Sequence, residues 1–119
     1  MFAATMHELG IAESALEVAL DQARARRAAR VRRIVIRVGA LSGVDQEALR
    51  FALAAILPGT AAEGSVLQID PVPATAYCPA CGRDFSPDTD HCFECPTCGG
   101  LSTELRQGRE LDLVQLELT

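Results

Sequence analysis

Two five-residue stretches, Cys78-Pro79-Ala80-Cys81-Gly82 and Cys95-Pro96-Thr97-Cys98-Gly99, constrain this 119-residue chain more than anything else in it. Each is a knuckle whose bent backbone aims two thiolates at one point. A hairpin between them brings four sulfurs to the corners of a tetrahedron about 2.3 Å from a zinc ion. Thirteen residues separate the pairs, enough for a short hairpin. Paired knuckles at this spacing predict a metal-stapled ribbon, with Cys78, Cys81, Cys95 and Cys98 as ligands. Four protein ligands leave no open position for water, so the site is structural rather than catalytic. Iron in a rubredoxin-like setting uses similar knuckles, but a non-redox α+β frame suits zinc better. The stretch has too few large apolar residues to fold alone, so the metal holds it together.

The rest of the composition narrows the possible partners. Eleven arginines, no lysine and sixteen acidic residues leave a net charge of −5, and four thiolates around zinc make it more negative. Non-specific nucleic-acid binding, which depends on neutralising phosphates, is disfavoured. Four Phe, one Tyr and no Trp give little stacking surface for single strands. No basic-then-apolar leader opens the chain and no apolar run is long enough to span a bilayer. Five cysteines, four of them in knuckles, point to reduced thiols in the cytoplasm. Cys92 forms an alternative CxxC with Cys95, but only the 95/98 pair repeats the first knuckle, so Cys92 reads as a spectator. His91 reads as a loop histidine near the metal.

Around the knuckles the periodicities spell a small α+β domain. Residues 5 to 28 predict a helix with Leu9, Ala12, Leu16, Leu20 and Ala23 inward. Thr5 with Glu8 has the form of a capping box. Arginines 24 to 33 read as a solvated helix end and strand flank. Residues 31 to 38 alternate as a strand, with Ile34, Ile36 and Val38 on one face and Arg33, Val35 and Arg37 on the other. After a turn at 39 to 43, a second helix spans 45 to 57 with Leu49, Leu53 and Ile56 inward, stopped by Pro58-Gly59. A second strand covers 65 to 72, its end marked by Pro71 and Pro73. A third covers 111 to 118, its apolar phase slipping between Leu113 and Val114, which points to a bulge or to burial on both faces. The expected fold is two helices on a small three-stranded mixed sheet, with a zinc-ribbon module inserted before the last strand. That divides the chain into a core of 1–74 plus 105–119 and a ribbon of 75–104, hinged at the linker 71 to 76.

Met6-His7-Glu8 opens the first helix. Together with MHELGIAESAL (6 to 16), VGALSGVDQEALRFA (38 to 52), GTAAEGSVLQI (59 to 69), the two knuckles and GRELDLVQLEL (108 to 118), it makes the chain closely resemble the HypA/HybF family of hydrogenase maturation nickel metallochaperones. The resemblance runs nearly end to end. It implies a cytoplasmic accessory protein, a monomer or weak homodimer. Such a protein binds Ni(II) cargo at the Met-His-Glu and structural zinc at the four cysteines. It also implies a GTPase partner that helps load nickel into the large subunit of [NiFe]-hydrogenase, with urease served by some members.

The implied nickel site has a clear chemistry. The His7 imidazole, the α-amine of Met6 and deprotonated amides form fused chelate rings, and all-nitrogen planar sets suit Ni(II). Glu8 steadies His7 or adds a donor. The family's chains begin at that Met, whereas here Met1-Phe2-Ala3-Ala4-Thr5 precede it; a true start at Met6 is the expectation. No nucleophile–base set, phosphate-binding Gly loop or carboxylate pair suggests an enzyme. The ribbon alone would also fit an interaction or nucleic-acid adaptor without nickel, against which the acidic balance argues.

Overall fold

A computed structural model describes residues 2–87, 93–102 and 104–119, with the backbone alone for 2–6. The first helix, α1, runs Phe2–Ala25 rather than 5 to 28. Its buried stripe is Glu8, Ala12, Leu16, Ala19 and Ala23, while Leu9 is 37% exposed. The stripe is therefore rotated from the expected one: Glu8 faces in because its carboxylate finds a donor on the second helix. Glu8 Oε2 accepts the Asp45 N–H at 2.7 Å, so this carboxylate does not serve the expected capping box with Thr5. At the other end Ala28 N–H reaches Ala23 C=O at 2.8 Å and Arg27 N–H reaches Arg24 C=O at 3.1 Å. That is a Schellman closure, and it places Arg27, not a glycine, at φ 54°.

Strand β1 (Val31–Gly39) follows, then helix α2 (Gln46–Ile56). Asp45 caps α2, its side chain accepting from Glu47 N–H at 2.9 Å and Ala48 N–H at 3.1 Å. Leu49 and Leu53 are fully buried, and Ile56 packs at the core margin. Strand β2 (Val66–Val72) pairs parallel with β1, and the last strand pairs antiparallel on β1's other side. Pro71 lies inside β2 rather than ending it. An edge strand tolerates the missing donor.

Ile34, Ile36 and Val38 face the helices and form the core with Leu49 and Leu53. Burying each of these side chains contributes roughly 1.5–3 kcal/mol. On the far face Val35 is only 4% exposed. Arg33 and Arg37 flank it along β1, and Arg33 reaches Glu117 at 2.8 Å.

The knuckle region forms a second sheet from β3 (Thr75–Cys78), β4 (Arg83–Phe85) and β5 (Glu104–Gln107), in the order β4-β3-β5. Strand pairing thus carries this sheet to Gln107, three residues past the expected boundary at 104. The final strand, β6 (Leu111–Leu118), returns to the core sheet, whose order is β2-β1-β6. Its register slips where Val35 faces Gln115 and Ile36 faces Leu113, leaving Val114 as the bulge residue.

The two connections between the sheets cross at the end of β1. Gly39 N–H donates to Glu110 C=O at 2.7 Å, Leu41 N–H to Gly108 C=O at 2.6 Å, and Ala40 N–H to Val72 C=O at 2.9 Å. Gln107 Nε2 donates to Pro73 C=O at 3.1 Å. The expected hinge coincides with a tied crossing. The whole molecule is elongated, 55 × 32 × 17 Å.

Candidate metal centres

The two knuckles are the same turn made twice. Gly82 N–H donates to Cys78 C=O and Gly99 N–H to Cys95 C=O, both at 2.8 Å. Gly82 and Gly99 sit at φ 69° and 72°, where a side chain would strain the turn. The turns bring all four Sγ atoms within 4.8 Å of one another. Cys78 and Cys98 sulfurs are 3.5 Å apart, Cys81 and Cys95 sulfurs 3.9 Å. Tetrahedral thiolates at 2.3 Å from one ion stand about 3.8 Å apart, so the cluster already has the size of a four-coordinate site. Cys78 and Cys95 are buried, Cys81 is half-buried and Cys98 exposed.

Backbone donors prepare the sulfurs for charge. Cys81 N–H points at Cys78 Sγ and Gly100 N–H at Cys98 Sγ, each at 3.4 Å. The Cys98 and Thr97 N–H groups bring Cys95 down from 9.0 to about 6. Cys81 is pushed up to about 12, first by its bond with the Cys98 thiol and then by burial. Thiolates this close repel one another, and a divalent cation supplies the charge that lets all four ionise. The four expected cysteines therefore come together as a closed metal site. His91 and Cys92 lie outside the described residues.

The N-terminal motif is arranged differently. His7 projects to solvent from α1, whereas Glu8 on the adjoining face is 1% exposed. One Glu8 oxygen holds Asp45 N–H; the other, Oε1, is buried and has no hydrogen-bond partner. The Met6 side chain lies outside the described residues, and its backbone is helical. Periodicity could find Asp45 as a helix cap. It could not find that the same residue's N–H would reach Glu8 across 37 positions, because nothing in either segment encodes that approach.

An α+β domain carrying a ribbon in which four cysteine sulfurs converge is the architecture of a metal-binding protein. The family model described as "Hydrogenase/urease nickel incorporation, metallochaperone, hypA" matches residues 6–118. The chain belongs to the HypA family, which is one of metallochaperones and not of enzymes. A relative from Picosynechococcus sp., named hydrogenase maturation factor HypA, is 41% identical over 95% of this chain and 99% of its own length. One of the same name from Chloroflexus aurantiacus is 38% identical over 94% and 98%. The solution structure of the nickel metallochaperone HypA from Helicobacter pylori superposes with a TM-score of 0.64 over 93% of this chain and 96% of that one, at 22% identity. A second solution structure, of a HypA protein, gives 0.70 over 96% and 97%, at 23% identity. Both share the fold.

Proposed function

We propose that the chain binds Ni(II) through Met6, His7 and Glu8 and passes it, with a GTPase partner, to the large subunit of [NiFe]-hydrogenase in the cytoplasm. Zinc is the ion in the four-cysteine site: the sulfur spacing, the all-thiolate set and the closed sphere suit it. Membership in a nickel-incorporation family supports the cargo. Among the described residues no helix is long and apolar enough to cross a membrane.

The observation that carries the nickel site is the division of labour in His7-Glu8. The imidazole is free at the surface, while the carboxylate beside it is locked to α2 through one oxygen and keeps the other unused. Glu8 thus fixes the segment that carries His7 against the N-terminus of α2, and its buried Oε1 keeps an unused acceptor position. His7 supplies the imidazole, and Met6 supplies its amine where it is the first residue. Each nitrogen must shed a proton to bind, so nickel affinity weakens as pH is lowered.

The test is a Ni(II) titration, by calorimetry and absorption, of the protein starting at Met1 and of one starting at Met6. One-to-one binding lost on His7→Ala is expected. Failure of both forms to bind would leave a ribbon protein of adaptor type and end the nickel reading.

A further inference from the structure

The two edges of the core sheet are treated differently. On β2, Pro71 removes a donor, and the Arg50 guanidinium from α2 takes the Leu67 carbonyl at 2.9 Å. On β6, among the described residues, no backbone hydrogen bond is made on the side away from β1. Helix α1 overhangs that open edge. Between them lies a groove of about 520 Å³ with an apolar lining that includes Ile11, Ala15, Val18, Leu111 and Leu113, with His7 at one end. It continues along Leu116 and Leu118 toward Arg26 and Arg27. Val18 and Val114 stay 47% and 45% exposed beside it. This is the space a fourth strand would fill.

We propose that the α1–β6 groove is a strand-addition site for an extended segment of another protein in which apolar and basic residues alternate. Added strands pair through the backbone and are selected through alternate side chains. Here one face of the incoming strand would lie under α1 against Val18 and Leu113. The other would lie beside Asp112 and Glu117, which β6 carries on the face away from the helices; Glu117 sits in register with Arg33 and is ion-paired with it at 2.8 Å, so Asp112, across from Arg37, is the main selector for a basic side chain. Acidic residues directly across from basic ones stabilise a strand pair, and like charges oppose it. The same acids argue against a second copy as the occupant. Centred antiparallel pairing of β6 with itself sets Asp112 of one copy against Glu117 of the other, as edge charges do when they block self-association. The docking surface stands without nickel. Only its use rests on the nickel reading, under which a seated partner lies beside His7.

The test needs no nickel. The isotopically labelled, zinc-loaded full chain is titrated with a capped octapeptide alternating valine and arginine, and separately with one alternating valine and glutamate. Amide shifts confined to β6 and the groove side of α1, with slowed hydrogen exchange on β6, are expected for the arginine peptide. The glutamate peptide should bind at least about tenfold more weakly. Asp112→Asn, which removes the charge without setting a cation against Arg37, should weaken the arginine peptide about twofold, with the spectrum of the free protein otherwise unchanged. No binding, equal binding of both peptides, or shifts centred on the exposed Phe51 face of α2 would overturn the proposal. So would β6 protection that appears with protein concentration alone, which would make the occupant a second copy.

Discussion

Gly39→Ala should be among the most damaging small substitutions in the molecule. A Cβ on residue 39 would stand 2.1 Å from the Gly108 carbonyl oxygen, 2.3 Å from its carbon and 2.7 Å from the Arg109 nitrogen. All three are backbone atoms, so no side chain can swing aside. The returning chain must move, and it is tied there by the Gly39–Glu110 and Leu41–Gly108 hydrogen bonds. Overpacking of one methyl costs about 1–3 kcal/mol, and two loosened hydrogen bonds add about 1 kcal/mol each. The expected loss is therefore roughly 3–5 kcal/mol, a large part of a small domain's typical 5–15 kcal/mol. Gly10→Ala is the matched control. A Cβ at that position on α1 would meet nothing within 4 Å, and replacing a helical glycine by alanine gains about 0.5–1 kcal/mol. Urea melts of the zinc-loaded variants measure both. Hydrogen exchange at Val72, Ala74 and 107–110 should rise only in Gly39→Ala. A Gly39→Ala protein within about 1 kcal/mol of the parent would refute the account of a locked crossing.

Three further outcomes follow from single sites. Arg27→Gly should raise the urea midpoint by the equivalent of about 0.5–1 kcal/mol, because φ 54° at the Schellman position suits glycine and strains arginine. A strong chelator should abolish hydrogen-exchange protection over 75–107 while β1 and α2 stay protected, since the core sheet has its own apolar cluster and the ribbon does not. Glu110 is held below its ordinary 4.5, chiefly by the Gly108 N–H and then by its own backbone N–H. The unfolded chain thus binds more protons near that pH. The stabilisation is complete above about 4.5 and is lost as pH falls through the lowered value. Glu110→Gln should flatten the acid limb of a stability–pH curve.

What is legible in the sequence, and what is not, divides along the range of the interaction. The knuckles announce themselves because ligand type, spacing and turn glycine are all local. The alternation of Ile34, Ile36 and Val38 and the phase slip at Val114 are local patterns as well, and both are present in the sheet. The first helix reads one face askew because a carboxylate is expected to point outward. Glu8 is buried through a donor 37 residues away. Pro71 reads as a strand end, although the parallel register that makes β2 an edge depends on how β1 and β2 meet. Strand β5 escapes the pattern as a partner of β3 because four residues of mixed polarity carry no period of their own; the four-cysteine cluster, not the strand pattern, brings them together.

The sharpest consequence of the helix boundary concerns the cargo site. In α1 as it stands, beginning at Phe2, helical geometry commits the His7 and Glu8 N–H groups to the carbonyls of Ala3 and Ala4. A planar nickel chelate through those same amides has to deprotonate them and break both bonds. In a chain that begins at Met6 they are first-turn donors without helical acceptors, and the Met6 amine stands beside them. Two forfeited hydrogen bonds cost about 2 kcal/mol, a factor of roughly 30 in affinity, before the missing amine is counted. The form starting at Met1 should therefore bind Ni(II) at least about thirtyfold more weakly, and lose about one turn of helical circular dichroism wherever it does bind. The Met6 form should lose none. Equal affinities with unchanged dichroism in both would show that the backbone amides are not donors and that the exposed His7 imidazole holds the ion without them.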